Sequence, residues 1–349
     1  MANDLDKKLL FRVKTCATSA NMGPGYDIAA LALDIFNECE VFKGNGANHS
    51  IEYAGPYAGE IDQKSDLVIP AIKTVTEEYA GRIIIQGKNV RRDASNKSIE
   101  NGTENGEEDK LGLHAGIFDK EDEGLPYSLD IKMTVNIPPG KGLGSSASAV
   151  TAGVLIANKA YNMDLNKKEL FHAAAKMESS PDNAAAALSG GMAIVYLNGE
   201  EQLFEKIELS RDYKILLFVP LGIAETKEAR KIIPKKVPLE DVVYNISNFS
   251  LLVKSLKEGD IRGAAVFFRD YLYQKYRKAM YPLSMELVRV FIETYGIPAF
   301  ISGSGPAVIT IMDEEMFSRF KDIRSKLGAY YLSFHVMVTN ISEDGSQYF

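Results

Sequence analysis

The feature that most constrains the fold is a glycine-rich segment between a strand-like stretch and a helix-like stretch. Large apolar residues alternate with polar ones from Leu129 to Ile137, the two-residue period of a strand that buries one face. Ser145–Asn158 is small and mostly apolar, which predicts a buried helix. Between them, Pro138–Gly144 holds three glycines within five residues, so the backbone can approach a bulky anion and present N–H groups to a phosphate. A turn that merely joins strand to helix is the alternative.

Strand-like and helix-like segments follow one another along the rest of the chain without a fixed repeat. Because they are interleaved but do not alternate strictly, they predict an α+β fold built from packed layers. Further helices are predicted over residues 167–177, 241–256, 262–276 and 284–295, and further strands over residues 10–13, 192–197, 216–220, 306–312 and 332–338.

Length, charge and cysteine content narrow the functional classes. The 349 residues suffice for about two domains. With 40 basic and 47 acidic residues the net charge is −7, which does not favour nucleic-acid binding, because that depends on a basic surface. Two cysteines cannot form a disulfide framework. The charged N-terminus and the lack of an apolar run of about 18 residues predict a cytoplasmic protein with no membrane partner.

Residues 88–126 form a polar, acidic segment that interrupts this pattern. Across residues 96–110 only Ile99 is a sizeable hydrophobe, so the stretch buries too little apolar surface to offset its ordering entropy. Arg91–Leu125 holds ten acidic and five basic residues, so most of the net negative charge lies here. We predict a flexible surface insertion.

Two further segments combine polar residues with glycines. Cys16–Asp27 follows a strand-like stretch and is predicted to form a turn. Asn21 and Asp27 either bind a polar substrate there or serve the turn itself. Ser302–Pro306 is predicted to form a tight turn before a strand.

A fourth segment, Glu178–Asn183, precedes a run of alanines. Asp182 and Asn183 either cap a helix there or face a ligand. Neither Gly142–Ser146 nor Ser302–Pro306 contains a Gly-x-Ser-x-Gly elbow, so a Ser-His-Asp hydrolase is not favoured.

Together these segments resemble the motifs of the GHMP kinase superfamily, named for galactokinase, homoserine kinase, mevalonate kinase and phosphomevalonate kinase. The resemblance spans nearly the whole chain and is strongest to the homoserine kinase pattern. Cys16–Asp27 is similar to Pro-Ala-Thr-Ser-Ala-Asn-Leu-Gly-Pro-Gly-Phe-Asp, and Ser180–Asn183 is similar to His-Pro-Asp-Asn. Thr226–Arg230 resembles Thr-Lys-Glu-Ala-Arg, and Asp270–Arg277 resembles Asp-x-x-His-Gln-Pro-Tyr-Arg.

The resemblance implies a two-domain GHMP kinase fold. Residues 1–209 would form an N-terminal ATP-binding domain similar to domain 2 of ribosomal protein S5, and residues 210–349 a ferredoxin-like C-terminal domain. The active site would lie in the cleft between them. The implied reaction is the phosphorylation of L-homoserine by ATP to O-phospho-L-homoserine for threonine biosynthesis. A homodimer is a further expectation.

The resemblance also implies which residues bind each group. Mg²⁺ would lie between Ser146 and Glu178, whose oxygens are hard ligands suited to that ion. Arg230 and Arg277 would hold the substrate carboxylate with planar donor forks, and Asp182 would receive its ammonium group. The ATP phosphates would lie on Pro138, Gly140, Lys141, Gly142, Leu143, Gly144, Ser145, Ser146, Ala147 and Ser148. The substrate would contact Asn21, Ser180, Asp182, Asn183, Arg230 and Arg277.

Three residues are implied in the chemical step: Asn183, Asp27 and Lys141. Asn183 would lie near the reacting hydroxyl, and Lys141 would stabilise charge on the transferring phosphoryl group. Because an Asn side chain cannot act as the proton acceptor, we expect direct attack by the hydroxyl without a strong protein base.

Three departures from the homoserine kinase pattern weaken the transfer of roles to this chain. Cys16 replaces Pro, and Ser180 and Tyr273 each replace His. The Ser180 change bears most on substrate choice, because a His there would help to hold the substrate. Two alternatives therefore stay open: a GHMP kinase for another small alcohol such as L-threonine, and a superfamily member that binds ligand without catalysis. The intact Gly142–Ser146 segment and the presence of Glu178, Asp182 and Arg230 speak against the second.

Overall fold

The computed structural model describes most of the chain, namely residues 8–85, 88–92, 99–102, 127–199, 201–210, 212–222, 229 and 231–349. The strands are β1 Leu9–Asn21, β2 Gly25–Lys43, β3 Ser50–Ala54, β4 Ile84–Ile85, β5 Lys88–Arg92, β6 Ile99–Gly102, β7 Leu129–Thr134, β8 Met192–Asn198, β9 Glu201–Ile207, β10 Lys214–Pro220, β11 Ala299–Ile301, β12 Val308–Met312, β13 Phe334–Asn340 and β14 Gln347–Tyr348. The α-helices are α1 Val68–Glu78, α2 Ser145–Ala160, α3 Lys167–Met177, α4 Pro181–Ser189, α5 Leu239–Glu258, α6 Gln274–Arg277, α7 Pro282–Arg289, α8 Glu314–Arg324 and α9 Gly328–Tyr331. Two shorter helical turns concern the sites described below: a 3₁₀ turn over Ala264–Phe268 and a π-helical turn over Val290–Thr294.

Seven of the strands form one mixed sheet, which we call the first sheet. Its continuous path is β14-β1-β2-β7-β3, while β8 pairs with β2 and carries β9. The pairing of β3 with β7 is parallel, and the other pairs are antiparallel. The long strand β2 pairs with β7 through Glu38–Lys43 and with β8 through Ala29–Leu31. It therefore joins the two parts of the sheet.

The strand β1 extends further than its sequence indicates. The turn predicted over Cys16–Asp27 is wrong for its first half, because β1 continues to Asn21 and only Met22–Pro24 separates it from β2. Residues 15–21 are all buried, and buried hydroxyls in this stretch find partners: those of Thr15 and Ser148 lie 2.7 Å apart. This part of β1 is thus buried on both faces, and its residues are small or carry hydroxyls that are hydrogen-bonded.

The helices α1 to α4 belong to the core on one face of the first sheet. Helices α1 and α2 approach each other closely, because a Cβ on Gly153 would lie 2.5 Å from the Cβ of Ala71. The small residues of α2 therefore allow close packing between the two helices.

The second sheet has four antiparallel strands in the order β11-β12-β10-β13. Apolar residues of α5, α7 and α8 belong to its core, and so do Leu31 and Leu33 of β2 and Leu143 of the glycine-rich loop. An apolar layer is thus shared by the second sheet and the back of the first, so the two units dock through a buried interface.

The end of the chain returns to the first sheet. Val13 of β1 pairs with Tyr348 of β14, and Leu33 forms an isolated bridge with Ile341. The predicted domain division at residues 209 and 210 stays a prediction. The chain passes from the first sheet to the second between β9 and β10, and its last residues lie on the first.

The single helix predicted over residues 262–276 is wrong. A 3₁₀ turn is followed by a bend and by the short helix α6. The reason is Asp270, whose carboxylate accepts backbone N–H bonds from Leu272, Tyr273 and Gln274 over 3.1, 2.8 and 2.6 Å. A side chain that satisfies these donors competes with helix formation, and the bend presents Tyr273 and Arg277 to the site described below.

Part of the predicted insertion at residues 88–126 is ordered into strands. β5 and β6 form a small antiparallel sheet with β4. The rest of the insertion lies outside the described residues. Within the described part of the chain, no helix combines the length and apolar character needed to cross a membrane.

Candidate active site

The glycine-rich loop leads from β7 to α2 through left-handed backbone conformations. Gly140, Gly142 and Gly144 have φ angles of 67°, 81° and 68°, which glycine adopts without a steric penalty. Gly144 is the N-cap of α2, and as a glycine it has no side chain with which to cap the helix. The N–H groups of the first helical turn are therefore available to an anion, and the helix dipole favours negative charge there.

Two other segments press against this loop, and both require its glycines. A Cβ on Gly142 would lie 2.1 Å from the carbonyl oxygen of Ser302, and a Cβ on Gly144 would lie 1.9 Å from Oγ1 of Thr18. The Thr18 N–H donates to the carbonyl oxygen of Leu143 over 3.1 Å. The Ser302 hydroxyl donates to the carbonyl oxygen of Gly142 over 2.6 Å. The loop is thus fixed between β1 and the turn before β12.

A cleft of about 480 Å³ opens beside the loop, and we call it the active-site cleft. Residues from five of the segments singled out in the sequence meet here: the glycine-rich segment, Cys16–Asp27, Glu178–Asn183, Asp270–Arg277 and Ser302–Pro306. It is lined by Ala20, Asn21, Tyr26, Asp27, Gly140, Gly142, Leu143, Gly144, Ser145, Ser146, Ala147, Glu178, Ser179, Ser180, Asn183, Arg277, Gly303 and Ser304.

Ser146 and Glu178 meet at one side of the cleft, where the Ser146 hydroxyl donates to Oε1 of Glu178 over 2.6 Å. A hydroxyl and a carboxylate are hard oxygen ligands of the kind that Mg²⁺ prefers, so this donor pair fits that ion. No group of three or more His, Cys, Asp or Glu side chains among the described residues could hold a metal ion. Further Mg²⁺ ligands would have to come from water and from substrate phosphates, as is usual for this ion.

Asn21 organises the turn between β1 and β2. Its amide nitrogen donates to the carbonyl oxygen of Gly303 over 2.7 Å, and its amide oxygen accepts the backbone N–H of Asp27 over 3.0 Å. Both ends of the side chain thus shape the cleft wall. Asn21 and Asp27 each line the cleft.

Asn183 lies in the first turn of α4 and faces the cleft. The hydroxyl of Thr18 donates to its Oδ1 over 2.7 Å, which leaves the amide nitrogen as the side chain's donor. Asp182 is fully buried and is not among the lining residues. Its Oδ1 accepts the backbone N–H of Asn183 over 2.9 Å, so Asp182 supports Asn183 from behind the cleft wall.

Arg277 is the cation that the structure brings into the cleft. Its side chain is almost completely enclosed, with 1% of the residue exposed, and burial lowers the pKa of the guanidinium. Nη1 donates to the carbonyl oxygen of Gly303, whereas Nε has no hydrogen-bond partner among the described residues. A buried guanidinium with unused donors is suited to bind a carboxylate.

Two tyrosines hold Arg277 in place, and sequence reasoning did not assign them a role in the site. The guanidinium carbon lies 4.7 Å from the ring centroid of Tyr273, within cation–π range. The ring of Tyr26 lies 5.3 Å from that of Tyr273. Burial raises the pKa of the Tyr273 phenol well above its ordinary value. The signals in the sequence were Tyr273 in place of the His of the family pattern and Tyr26 in place of its Phe.

Four predicted site residues do not line the cleft. The Lys141 ammonium donates to the carbonyls of Pro220, over 3.3 Å, and Gly222. The Ser148 hydroxyl is buried beneath α2 and accepts from Nδ2 of Asn37 over 3.1 Å. Pro138 and Asp182 are also absent from the lining. Arg230 lies outside the described residues.

Comparisons with known proteins agree with this arrangement. The family descriptions "GHMP kinases N terminal domain" and "GHMP kinases C terminal" match residues 113–191 and 252–329. A homoserine kinase of Thermotoga petrophila is 31% identical over 313 residues, covering 89% of this chain and 95% of the relative. A homoserine kinase of Petrotoga mobilis is 29% identical over 339 residues, which cover 96% of this chain and 95% of the relative. The crystal structure of homoserine kinase from Cytophaga hutchinsonii shares the fold, with a TM-score of 0.74 at 20% identity, covering 100% of this chain and 99% of that one.

Proposed function

The chain belongs to the GHMP kinase family, and we propose that it transfers the γ-phosphoryl group of ATP to the side-chain hydroxyl of L-homoserine. The product would be O-phospho-L-homoserine, an intermediate of threonine biosynthesis. The observation that carries the proposal is the position of Arg277, which lines the same cleft as the start of α2. One cavity thus offers a cation for an amino-acid carboxylate and N–H groups for phosphates.

The glycine-rich loop and the start of α2 would bind the ATP phosphates. Backbone N–H groups at the helix start are preorganised donors, so they stabilise negative charge without reorganising during the reaction. Ser146 and Glu178 would hold Mg²⁺, which when bound neutralises phosphate charge. Lys141 is directed to the end of β10, so we assign it to fixing the loop instead of contacting phosphate.

Arg277 would bind the carboxylate of the acceptor, and Arg230 remains a proposed second donor. Asn183, oriented by Thr18, would donate from its amide nitrogen to the acceptor hydroxyl oxygen. Because Asp182 lies behind the cleft wall, we assign it to positioning Asn183. Its negative charge would favour the acceptor ammonium from there.

In the chemical step the hydroxyl oxygen would attack the γ-phosphorus, the bond to the bridging oxygen of ADP would break, and the hydroxyl proton would pass to an oxygen of the transferred group. Phosphoryl transfer depends mainly on positioning and charge stabilisation. Asp27→Asn is therefore expected to keep kcat within about tenfold of the unmodified protein, whereas removing a general base costs about 10²–10⁴-fold. A steep loss of kcat with unchanged substrate binding would identify Asp27 as the base.

A coupled ADP-release assay tests the substrate assignment. L-Homoserine, L-threonine, L-serine and mevalonate are offered with Mg-ATP, and ATP binding is measured separately by calorimetry. We expect turnover that depends on L-homoserine and is lost on chelation of Mg²⁺. Intact ATP binding without homoserine-dependent turnover would refute the assignment.

One observation favours a second candidate, a GHMP kinase for another small alcohol such as L-threonine. Ser180 lines the cleft where the homoserine kinase pattern has the larger His. A smaller side chain leaves room for an extra methyl group on the acceptor. A kcat/KM for L-threonine above that for L-homoserine would favour this candidate. The noncatalytic alternative predicts ATP binding without turnover of any acceptor.

A further inference from the structure

A second cleft, of about 490 Å³, lies beside the segment that carries Arg277, and we call it the outer cleft. Asp270, Gln274 and Lys278 line the outer cleft, whereas Arg277 of the same segment lines the active-site cleft. The short helix α6 therefore contributes to the walls of both cavities. The kinase reaction proposed above makes no use of the outer cleft.

The floor of the outer cleft is apolar and comes from α7 and the turn that follows it. Met285, Val288 and Ile292 line it, and Val288 and Ile292 are themselves largely buried in the core. Ile292 lies in the π-helical turn that continues α7, and such turns often occur at functional sites. An apolar body would lose water-exposed surface on entering this cavity.

The rim of the outer cleft carries four cations and three acids, namely Arg269, Lys275, Lys278, Arg289, Asp270, Glu286 and Glu293. Arg289 donates to Glu286 over 2.6 and 3.0 Å and to Glu293 over 3.1 Å. Arg269 also pairs with Glu293, at 3.8 Å, and Lys275 pairs with Asp241. Lys278 forms no ion pair with any described residue. Lys278 is therefore the rim cation that remains for an anionic group.

We propose that the outer cleft is a second binding site, for a small molecule that joins a carboxylate or phosphate group to an apolar body. The anionic group lies at Lys278, and the apolar body lies on Val288 and Ile292. A charged rim around an apolar floor is the usual composition of a small-molecule site. This part of the proposal does not depend on which alcohol the enzyme phosphorylates.

Hydrogen bonds connect the outer cleft to the active site. Gln274 is buried between the two, and its Oε1 accepts the backbone N–H of Ile301 over 2.8 Å. Ile301 leads to Gly303, whose carbonyl accepts from Asn21 and Arg277. A ligand that shifts α6 therefore changes the support of Arg277, so occupancy of the outer cleft alters the KM for the acceptor. This coupling rests on the proposed function.

Binding is tested on the full chain with the fluorescent probe 8-anilinonaphthalene-1-sulfonate, which carries an anion on an aromatic body. We expect saturable binding that Lys278→Glu weakens at least tenfold, and that Lys257→Glu, an exposed charge reversal on α5 outside the cleft, leaves unchanged. Phenyl phosphate and phenylacetate are the two candidate chemistries, and at least one should displace the probe. Benzyl alcohol and inorganic phosphate, which each lack one half of the ligand, should not.

Three results would overturn the proposed site. Equal probe binding by both lysine variants would show that Lys278 takes no part. Displacement of the probe by ATP would place it in the active-site cleft, and displacement by inorganic phosphate as strong as by phenyl phosphate would exclude an apolar subsite.

The coupling is tested with the compound that displaces the probe. At saturation it should change the KM for L-homoserine at least threefold in the unmodified protein and leave it unchanged in Lys278→Glu. An unchanged KM with intact probe binding would refute the coupling alone. Absence of homoserine turnover would refute the proposed function, and the probe experiment would still decide whether the outer cleft binds ligand.

Discussion

Replacing Gly144 by Ala tests whether the glycine-rich loop is shaped by its contacts with β1. The substitution imposes two separate costs. The backbone has a φ of 68°, and the left-handed conformation costs a non-glycine residue roughly 1–2 kcal/mol. The new Cβ would also lie 1.9 Å from Oγ1 of Thr18, and overpacking of this kind costs roughly 1–3 kcal/mol. Together they lower the free energy of unfolding by roughly 2–5 kcal/mol.

Gly296 provides a matched control that separates the two costs. Its φ is 62°, and a Cβ there would meet nothing within 4 Å. Gly296→Ala should therefore show only the backbone cost of roughly 1–2 kcal/mol. The excess loss in Gly144→Ala measures the steric contact with Thr18.

The assay is urea unfolding of both variants, followed by a double-mutant cycle with Thr18→Ala. Removing the Thr18 side chain relieves the contact, so the double variant should be more stable than the sum of the single losses predicts, by roughly 0.5–3 kcal/mol. The cycle accounts for the lost hydrogen bond to Asn183, because that loss is present in the single variant too. Equal losses at Gly144 and Gly296, or additivity within the cycle, would refute the reasoning.

Substitutions at three further positions test the assigned roles in the ADP-release assay. Glu178→Gln keeps the side-chain shape but removes its charge. We expect kcat/KM to fall about 100-fold and the Mg²⁺ concentration that gives a half-maximal rate to rise. An unchanged Mg²⁺ requirement would contradict the role of Glu178 as a ligand. Arg277→Met removes the buried cation, so the KM for the acceptor should rise at least about 30-fold, which corresponds to the lower end of the roughly 2–5 kcal/mol expected for a lost buried charge pair. Arg277→Lys should recover little of this loss because an ammonium lacks the planar fork. An unchanged acceptor KM in both variants would remove Arg277 from the substrate site. Tyr273→Phe keeps the ring that faces Arg277 and should leave the acceptor KM within about twofold of its value in the unmodified protein. Tyr273→Leu loses a cation–π contact of about 1–2 kcal/mol and should raise the acceptor KM severalfold. Equal effects of the two variants would contradict the stacking role.

Features that depend on neighbouring residues were predictable from the sequence. The comparisons confirm the two-domain GHMP kinase fold with mixed α and β structure. The helix predicted over residues 167–177 has those bounds as α3, and α2 begins at Ser145 as predicted. In each case the signal is local: Asn166 caps α3 with Glu169 in a capping box, and closely spaced glycines precede α2.

Features that depend on distant contacts were not predictable in the same way. The carbonyls that receive the Lys141 ammonium lie at the end of β10, and nothing in the loop sequence identifies them. The burial of Ser148 and Asp182 is likewise set by β1 and by the packing of α4. A motif alone does not distinguish a polar residue that contacts a ligand from one that is buried with a partner within the protein, and a buried polar group usually has such a partner.

The turn before β12 shows why the site needs both sheets. Gly303 donates to the carbonyl of Ala20 over 3.0 Å and accepts from both Asn21 and Arg277. Ser302 contacts the loop carbonyl of Gly142, 160 positions earlier in the chain. One short turn of the second unit thus orients the proposed acceptor side and the proposed phosphate side together. Because these bonds form only when the sheets are docked, a change that loosens the docking disturbs acceptor and nucleotide binding at once.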